Sequence, residues 1–244
     1  MTNTKKIMKI GVIGRGKWGK KIIRTLKKYY KLEFIVGKNT NYKKIKKKID
    51  WVFILTPNNT HYKICKYFLK LGINVFCEKP LTMSVKKANE LYMLSKKNKV
   101  NLYVDDIEIF KNKKIKIKKL NYVSRKKLSS GSNYSLFERL FYHDLYLIYE
   151  YVKNKNIKKV KFFKSSDLFF KIHFNDNIFC FEYSVKSKKK IHKINNSDFL
   201  KFKDNPMKKM IINLNKRKDF LENKKRSLFA LKLMLFLKLK YKKK

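Results

Sequence analysis

The chain has 244 residues, of which 44% are hydrophobic, so it is long enough to bury a core as one large or two small globular domains. Its formal net charge of +47 comes mostly from lysine, whereas proteins that bind specific DNA sequences rely on arginine, so we expect no specific nucleic-acid partner. The chain lacks the roughly 18 consecutive apolar residues of a membrane span, an apolar signal segment and cysteines at redox spacing, which predicts a cytoplasmic protein.

A glycine turn follows the first predicted strand, the apolar run from Ile7 to Ile13. A helical pattern begins at once, with Trp18, Ile22 and Leu26 predicted on its inner face. Strand, turn and helix in this order form the dinucleotide-binding fingerprint, whose glycines allow a tight turn, access for a pyrophosphate and close helix–strand packing. The predicted cofactor-binding residues here are Gly14, Arg15, Gly16, Lys17, Trp18 and Gly19.

The second predicted strand, Leu32 to Val36, ends in Gly37-Lys38-Asn39 without a carboxylate. A carboxylate at this tip commonly binds the adenosine ribose hydroxyls of NAD. Lys38 and Arg15 could instead bind a 2′-phosphate, which favours NADP as the cofactor. The alternative is that Lys38 is one more exposed lysine of a lysine-rich chain, in which case NAD is equally acceptable.

Strands and helices alternate through the following residues, which predicts a doubly wound parallel sheet. After a short basic segment at Lys43–Lys48, apolar runs predict three more strands. Two helices are predicted between them: the first ends at Gly72, and the second begins after Ser84 as its N-cap. The strands are predicted at Trp51–Leu55, Ile73–Cys77 and Asn101–Val104.

Two motifs follow the third and fourth strands: Thr56-Pro57-Asn58-Asn59-Thr60-His61 and Glu78-Lys79-Pro80. Together with the glycine turn they resemble the glucose-fructose oxidoreductase / inositol dehydrogenase (Gfo/Idh/MocA) family over residues 8–105. The resemblance implies an α/β protein with an NAD(P)-binding Rossmann domain at residues 1–110. It also implies a smaller α+β domain at residues 111–244, with an open, mostly antiparallel sheet that forms a homo-oligomer.

The resemblance further implies hydride transfer between nicotinamide and a hydroxyl of a sugar, nucleotide sugar or cyclitol. Lys79 would act at that hydroxyl, placed there by a cis peptide to Pro80, because ligands bind at the carboxyl ends of parallel strands. His61 is expected to shape its loop rather than to move a proton, and no cluster of side chains indicates a metal site. The motif residues expected to bind the cofactor are Thr56, Pro57, Asn58, His61, Glu78 and Lys79.

The second half predicts a strand at Ile115–Ser124, a helix at Ser135–Val152 and a meander of four strands. The helix contains Phe141-Tyr142-His143-Asp144-Leu145, which resembles the substrate-side helix of the family, with His143 as the catalytic acid/base. His173 and His192 lie in predicted strands without partner spacing and are interpreted as structural. The meander strands are predicted at Val160–Phe163, Leu168–Phe174, Ile178–Val185 and Lys190–Ile194.

Arg139 is a departure from the family, which commonly has an aspartate four residues before the histidine. Residues four apart share a helix face, so a cation at Arg139 would oppose protonation of His143, and Glu138 points about 100° away. This puts activity in doubt. The alternative function is therefore a catalytically degenerate dinucleotide-binding protein with a regulatory or scaffolding role.

The C-terminal segment, Leu228–Leu239, is apolar on all sides and ends in lysines. This pattern favours burial, so we expect a final helix packed on the dinucleotide-binding domain. The alternative is an amphipathic helix resting on an anionic membrane surface.

Overall fold

The computed structural model describes residues 8–38, 40–45, 47–111, 113–129, 134–165, 167–214 and 219–243. The predictions made for Ile7, Asn39, Lys46 and Lys244 lie outside these ranges. Contacts divide the chain into two compact units, residues 1–105 with 207–228 and residues 106–206 with 229–244. This division differs from the predicted bounds of 1–110 and 111–244, because residues 207–228 return to the first unit.

The first unit contains a five-stranded, fully parallel sheet in the order β2-β1-β3-β4-β5. Three helices connect the strands, which confirms the predicted Rossmann-like α/β fold. Continuous apolar runs form the central strands because a parallel sheet is covered on both faces. The elements are β1 Lys9–Ile13, α1 Lys17–Leu26, β2 Lys31–Val36, β3 Trp51–Ile54, α2 Asn58–Lys70, β4 Asn74–Cys77, α3 Val85–Lys97 and β5 Leu102–Val104, with a 3₁₀ turn at Tyr42–Lys44.

Helix α1 buries Ile22 and Leu26 as predicted, but the Trp18 side chain is 36% exposed. The prediction for Trp18 is wrong because Gly19, not Trp18, is the buried residue of the first turn. The later helix boundaries follow the sequence signals. The Ser84 hydroxyl accepts a hydrogen bond from the Lys87 N–H at the start of α3, and Gly72 ends α2 with a φ of 71°.

Residues 207–228 complete the first unit with most of helix α5 (Pro206–Asn213) and the beginning of α6 (Phe220–Lys242). The Phe220 ring stacks on Trp51, with centroids 6.1 Å apart. The side-chain amide of Asn223 forms two hydrogen bonds to Val104 of the edge strand β5. It accepts from the Val104 N–H at 2.9 Å and donates to the Val104 carbonyl at 2.7 Å.

The second unit contains a six-stranded sheet in the order β11-β10-β6-β9-β8-β7. Only the β6–β9 pair is parallel among these pairings, so the predicted mostly antiparallel sheet is confirmed. The first strand lies later than predicted, because the polar alternation in the second half of β6 conceals a half-buried strand. The strands are β6 Leu120–Leu128, β7 Ile157–Phe162, β8 Leu168–Phe174, β9 Ile178–Ser184, β10 Lys186–Ile194 and β11 Ser197–Asp198.

The helix predicted at 135–152 consists of a π-helical turn, Phe137–Phe141, followed by α4, Tyr142–Val152. The Phe137 ring packs against Tyr241 of α6, with centroids 5.7 Å apart, and Lys238 pairs with Glu138. The end of α6 therefore packs in the second unit, and the expectation that it packs on the dinucleotide-binding domain is wrong. No described helix is both long and apolar enough to cross a membrane.

Candidate functional site

The glycine turn after β1 has the backbone geometry of a phosphate-binding loop. Gly14 has a φ of 103°, and an added Cβ would lie 2.5 Å from the Leu55 carbonyl oxygen. An added Cβ on Gly19 would lie 2.8 Å from the Gly14 carbonyl oxygen, so α1 packs closely on the turn. At Gly16 an added Cβ would meet nothing within 4 Å. Gly16 therefore borders open space at the start of α1, where helix N–H groups attract anions.

Arg15 reaches the tip of β2. An added Cβ on Gly37 would lie 2.9 Å from Arg15 Nε, so the guanidinium side chain passes over Gly37 beside Lys38. Arg15 and Lys38 are both exposed. The structure thus brings two of the predicted cofactor-binding cations to the same strand tip. Lys17 and Trp18 lie in the first turn of α1, with both side chains exposed.

The two motif loops of the first unit are joined by His61. Its Nδ1 lies 2.9 Å from the Pro80 carbonyl oxygen, and its Nε2 lies 2.8 Å from the Thr56 carbonyl oxygen. A second hydrogen bond, 2.7 Å between the hydroxyls of Thr56 and Thr60, closes the first loop on itself. These bonds agree with the expectation that His61 shapes its loop, since both of its ring nitrogens contact backbone carbonyls.

The His61 side chain is 1% exposed, and this burial lowers the pKa of His61. The hydrogen bonds to the Pro80 and Thr56 carbonyls act to raise that pKa, and the positive charge of Lys79 lowers it. The net direction is downward, so the imidazole is neutral near pH 7. A neutral imidazole has one N–H, which it donates to one of the two carbonyls at a time.

Lys79 follows β4 directly, and the Lys79–Pro80 peptide is cis, as the resemblance implies. The residue before Lys79 is Glu78, whose N–H donates a hydrogen bond to the Ile54 carbonyl oxygen at 2.9 Å. Lys79 is half-buried, and its ammonium is close enough to lower the pKa of His61. The predicted motif residues Thr56, His61, Glu78 and Lys79 therefore lie together at the carboxyl ends of β3 and β4.

His143 lies in the first turn of α4, in the second unit. Its Nδ1 is 3.8 Å from Oε1 of Glu108, and the exposed side-chain fractions are 17% for His143 and 4% for Glu108. Glu108 belongs to a short 3₁₀ helix, Ile107–Lys111. Helical spacing around His143 drew attention only to Arg139 and Glu138, so it did not reveal this carboxylate from a distant part of the sequence.

Glu108 belongs to a buried charge cluster that also contains Lys111, Arg125, Asp144 and His192. Arg125 contacts Glu108 at 2.7 Å and Asp144 at 3.1 Å, and Lys111 contacts Glu108 at 2.7 Å. His192 Nε2 lies 2.7 Å from Asp144 Oδ1. The two carboxylates and the two permanent cations balance, which is how charges become tolerable in a protein interior.

The cluster fixes the ionisation of its members. Burial acts to raise the pKa of Glu108, but Arg125, His192 and Lys111 together lower it to about 2. Burial likewise acts to lower the pKa of Arg125, and Glu108 and Asp144 outweigh it, so that pKa is raised. Glu108 is therefore an anion throughout the neutral pH range.

Arg139 and Glu138 both have partners in the second unit. The Arg139 guanidinium donates to the Ser129 hydroxyl at 2.9 Å and to the Ser129 carbonyl at 3.3 Å. Glu138 pairs with Lys238. These contacts fasten the π-helical turn that precedes His143.

The sequence prediction did not assign Glu108, Arg125 or Asp144 to the site, and it interpreted His192 as structural. The contacts of Arg125 with Glu108 and Asp144, and of His192 with Asp144, join residues 17 to 48 positions apart, so no local spacing could reveal them. The one available signal was the pair Asp144 and Glu108, carboxylates placed among apolar residues in a chain that has few acids. Among the described residues, no group of histidine, cysteine, aspartate or glutamate side chains could hold a metal ion.

Part of the first unit matches a known protein family in sequence. The sequence model of the family described as "Oxidoreductase family, NAD-binding Rossmann fold" (Gfo/Idh/MocA) matches residues 26–106. Residues 26–106 are a Gfo/Idh/MocA family domain. The predicted resemblance is confirmed. The matched residues include β2, the two motif loops and β5. The chain is also 47% identical over 49 residues to the uncharacterized oxidoreductase YfiI of Bacillus subtilis.

That stretch is 20% of this chain and 12% of YfiI, so the sequence match covers a small part of that relative. Structural similarity to Gfo/Idh/MocA dehydrogenases extends further. UDP-N-acetylglucosamine 3-dehydrogenase GnnA from Acidithiobacillus ferrooxidans superposes with a TM-score of 0.77 at 14% identity, over 94% of this chain and 97% of GnnA. Myo-inositol 2-dehydrogenase from Lactobacillus plantarum gives 0.74 at 14% identity, over 94% and 95%. At these identities the match establishes the two-part fold.

Proposed function

We propose that the chain is an NAD(P)-dependent dehydrogenase that acts on a hydroxyl of a sugar, nucleotide sugar or cyclitol. The observation that carries the proposal is the half-buried Lys79, which directly follows β4 and precedes Pro80, whose carbonyl oxygen lies 2.9 Å from His61 Nδ1. Membership of residues 26–106 in an oxidoreductase family supports the reaction class. The substrate class is proposed from the similarity in fold to GnnA and myo-inositol 2-dehydrogenase, whose names state those activities.

The glycine turn fits a dinucleotide. Gly16 borders open space at the start of α1, and the positive φ of Gly14 turns the chain away from that space. A nicotinamide cofactor bound here would accept or supply the hydride. Gly14, Gly16, Gly19 and the first turn of α1 would hold its pyrophosphate. We propose NADP as the preferred form, because Arg15 reaches Gly37 at the tip of β2, next to Lys38 in the sequence.

Lys79 and His143 are the proposed catalytic residues. The Lys79 ammonium would hydrogen-bond to the reacting oxygen and stabilise negative charge on it. His143 would take the hydroxyl proton in oxidation and return it in reduction, since histidine titrates near neutral pH. Glu108 lies 3.8 Å from His143, and Arg139 contacts Ser129, which supports activity over the degenerate alternative.

A cytoplasmic location and a homo-oligomer formed through the second sheet remain parts of this proposal. Leu120, Tyr122 and Leu128 of β6 expose apolar side chains, which supports a contact at that sheet. The function is tested by titrating the protein with NADH and NADPH by fluorescence. Turnover is then measured with NAD⁺ and NADP⁺ on a panel of neutral sugars, nucleotide sugars and inositols. Saturable cofactor binding without turnover of any panel member would contradict the proposed dehydrogenase.

A further inference from the structure

A buried carboxylate lies beside the imidazole of His143. Oε1 of Glu108 is 3.8 Å from His143 Nδ1, and the side chains of Glu108 and His143 are 4% and 17% exposed. A distance of 3.8 Å is too long for a hydrogen bond but short for an interaction between charges. The imidazole of His143 therefore lies next to a fixed anion.

Other charged groups approach Glu108 from four elements. Lys111 comes from the same 3₁₀ helix, Arg125 from β6, and His192 from β10, while His143 comes from α4. Asp144 of α4 and Tyr183 of β9 complete the cluster, and burial together with the Asp144 charge raises the pKa of Tyr183. Arg125 and Lys111 both contact the carboxylate of Glu108, which fixes it in place beside His143.

We propose that Glu108 is the positioning residue of His143: its carboxylate orients the imidazole and stabilises the positive charge that the ring gains with a proton. The inference rests on the proposed dehydrogenase function for the source of that proton. In oxidation, a bound nicotinamide would accept the hydrogen of the broken substrate C–H bond as hydride. The O–H proton passes to His143, and the alcohol becomes a carbonyl. In reduction the imidazolium returns the proton to the same oxygen.

The test measures the titration of His143 directly, by NMR of the imidazole ring in the cofactor-free protein. The chain has four histidines, so the resonance is assigned with His143→Asn. Glu108→Gln should lower the titration midpoint of His143 by about 1 to 3 pH units, the usual effect of an opposite charge within 4–6 Å. Glu182→Gln is the matched control, since it removes a carboxylate of the same unit that is 45% exposed and paired with Lys126. It should leave the midpoint where it is in the wild type.

Lys111→Met is the second variant, needed because Glu108→Gln removes a buried partner of Arg125 and Lys111 and can prevent folding. Removing Lys111 strengthens the field of Glu108 at His143, so the midpoint should rise. A midpoint that does not move in either folded variant overturns the inference. A measurement of turnover distinguishes a failure of this inference from a failure of the proposed function. A shifted midpoint in a protein that oxidises no sugar supports the Glu108 contact and contradicts the dehydrogenase. An unshifted midpoint in an active enzyme contradicts the role of Glu108 and supports the dehydrogenase.

Discussion

The Nδ1 atom of His61 lies 2.9 Å from the carbonyl oxygen of Pro80, which ties helix α2 to the cis-proline loop that carries Lys79. The other ring nitrogen contacts the Thr56 carbonyl, so one buried side chain joins the loops that follow β3 and β4. Two motifs that are separate in the sequence therefore form one structural unit. Lys79 takes its place from that unit rather than from β4 alone.

The neutral state of His61 should make stability pH-dependent. Burial lowers the pKa of folded His61 below the ordinary value of 6.5, so the unfolded chain binds this proton more readily. Its contribution to stability is full above pH 6.5 and is lost as the pH falls through the folded pKa. Urea denaturation between about pH 7 and pH 5 should show this loss in the wild type and a flatter dependence in His61→Gln. His173→Gln, at a half-exposed position on β8, is the control. Equal slopes in wild type and His61→Gln would contradict the assignment.

Gly16→Val should weaken cofactor binding while leaving the fold intact. A Cβ added at Gly16 meets no protein atom within 4 Å, so the new side chain begins in the space proposed for the pyrophosphate. Fluorescence titration with NADPH should show affinity weakened by about tenfold or more, with an unchanged thermal midpoint. Gly72→Ala provides the opposite control. Its φ of 71° makes alanine cost about 1 kcal/mol of stability, and binding should be retained. Tight binding by Gly16→Val would place the cofactor elsewhere.

Lys38→Asp should reduce or reverse the preference for NADPH over NADH. Arg15 reaches Gly37 at the tip of β2, and Lys38 is the next residue. A carboxylate at Lys38 would repel a 2′-phosphate and accept hydrogen bonds from a ribose hydroxyl. The ratio of the two dissociation constants should change by about tenfold. Lys27→Asp makes the same charge change at the exposed end of α1 and should leave the ratio as it is in the wild type. A ratio insensitive to Lys38→Asp would show that this tip does not contact the 2′ position.

Lys79→Ala should reduce the rate of hydride transfer far more than the affinity for the cofactor. The ammonium is proposed to act on the reacting oxygen, and acid–base and electrostatic groups of this kind contribute about 10² to 10⁴ in rate. Single-turnover kinetics at saturating cofactor measures the effect. Lys63→Ala, an exposed lysine on α2, is the matched control. Comparable transfer rates in Lys79→Ala and the wild type would remove Lys79 from the mechanism.

The parallel half of the fold could be predicted from the sequence because its signals are local. A strand such as Trp51–Ile54 is a continuous apolar run, and Gly14 and Gly72 occur where the chain takes a positive φ. The surroundings of His143 could not be predicted. Helical spacing drew attention to Arg139, whereas the charge beside the ring comes from Glu108, 35 residues earlier. Pairings over such separations depend on the packed fold, which sequence periodicity does not describe.

The two hydrogen bonds between Asn223 and Val104 also affect whether strand β5 can pair with another chain. β5 is an edge strand, and an edge strand offers unpaired N–H and C=O groups to any extended segment that approaches it. The Asn223 amide satisfies both groups of Val104 as a neighbouring strand would, at 2.9 and 2.7 Å. Asn223 therefore occupies two hydrogen-bonding groups of β5 that an extended segment of another chain could otherwise pair with.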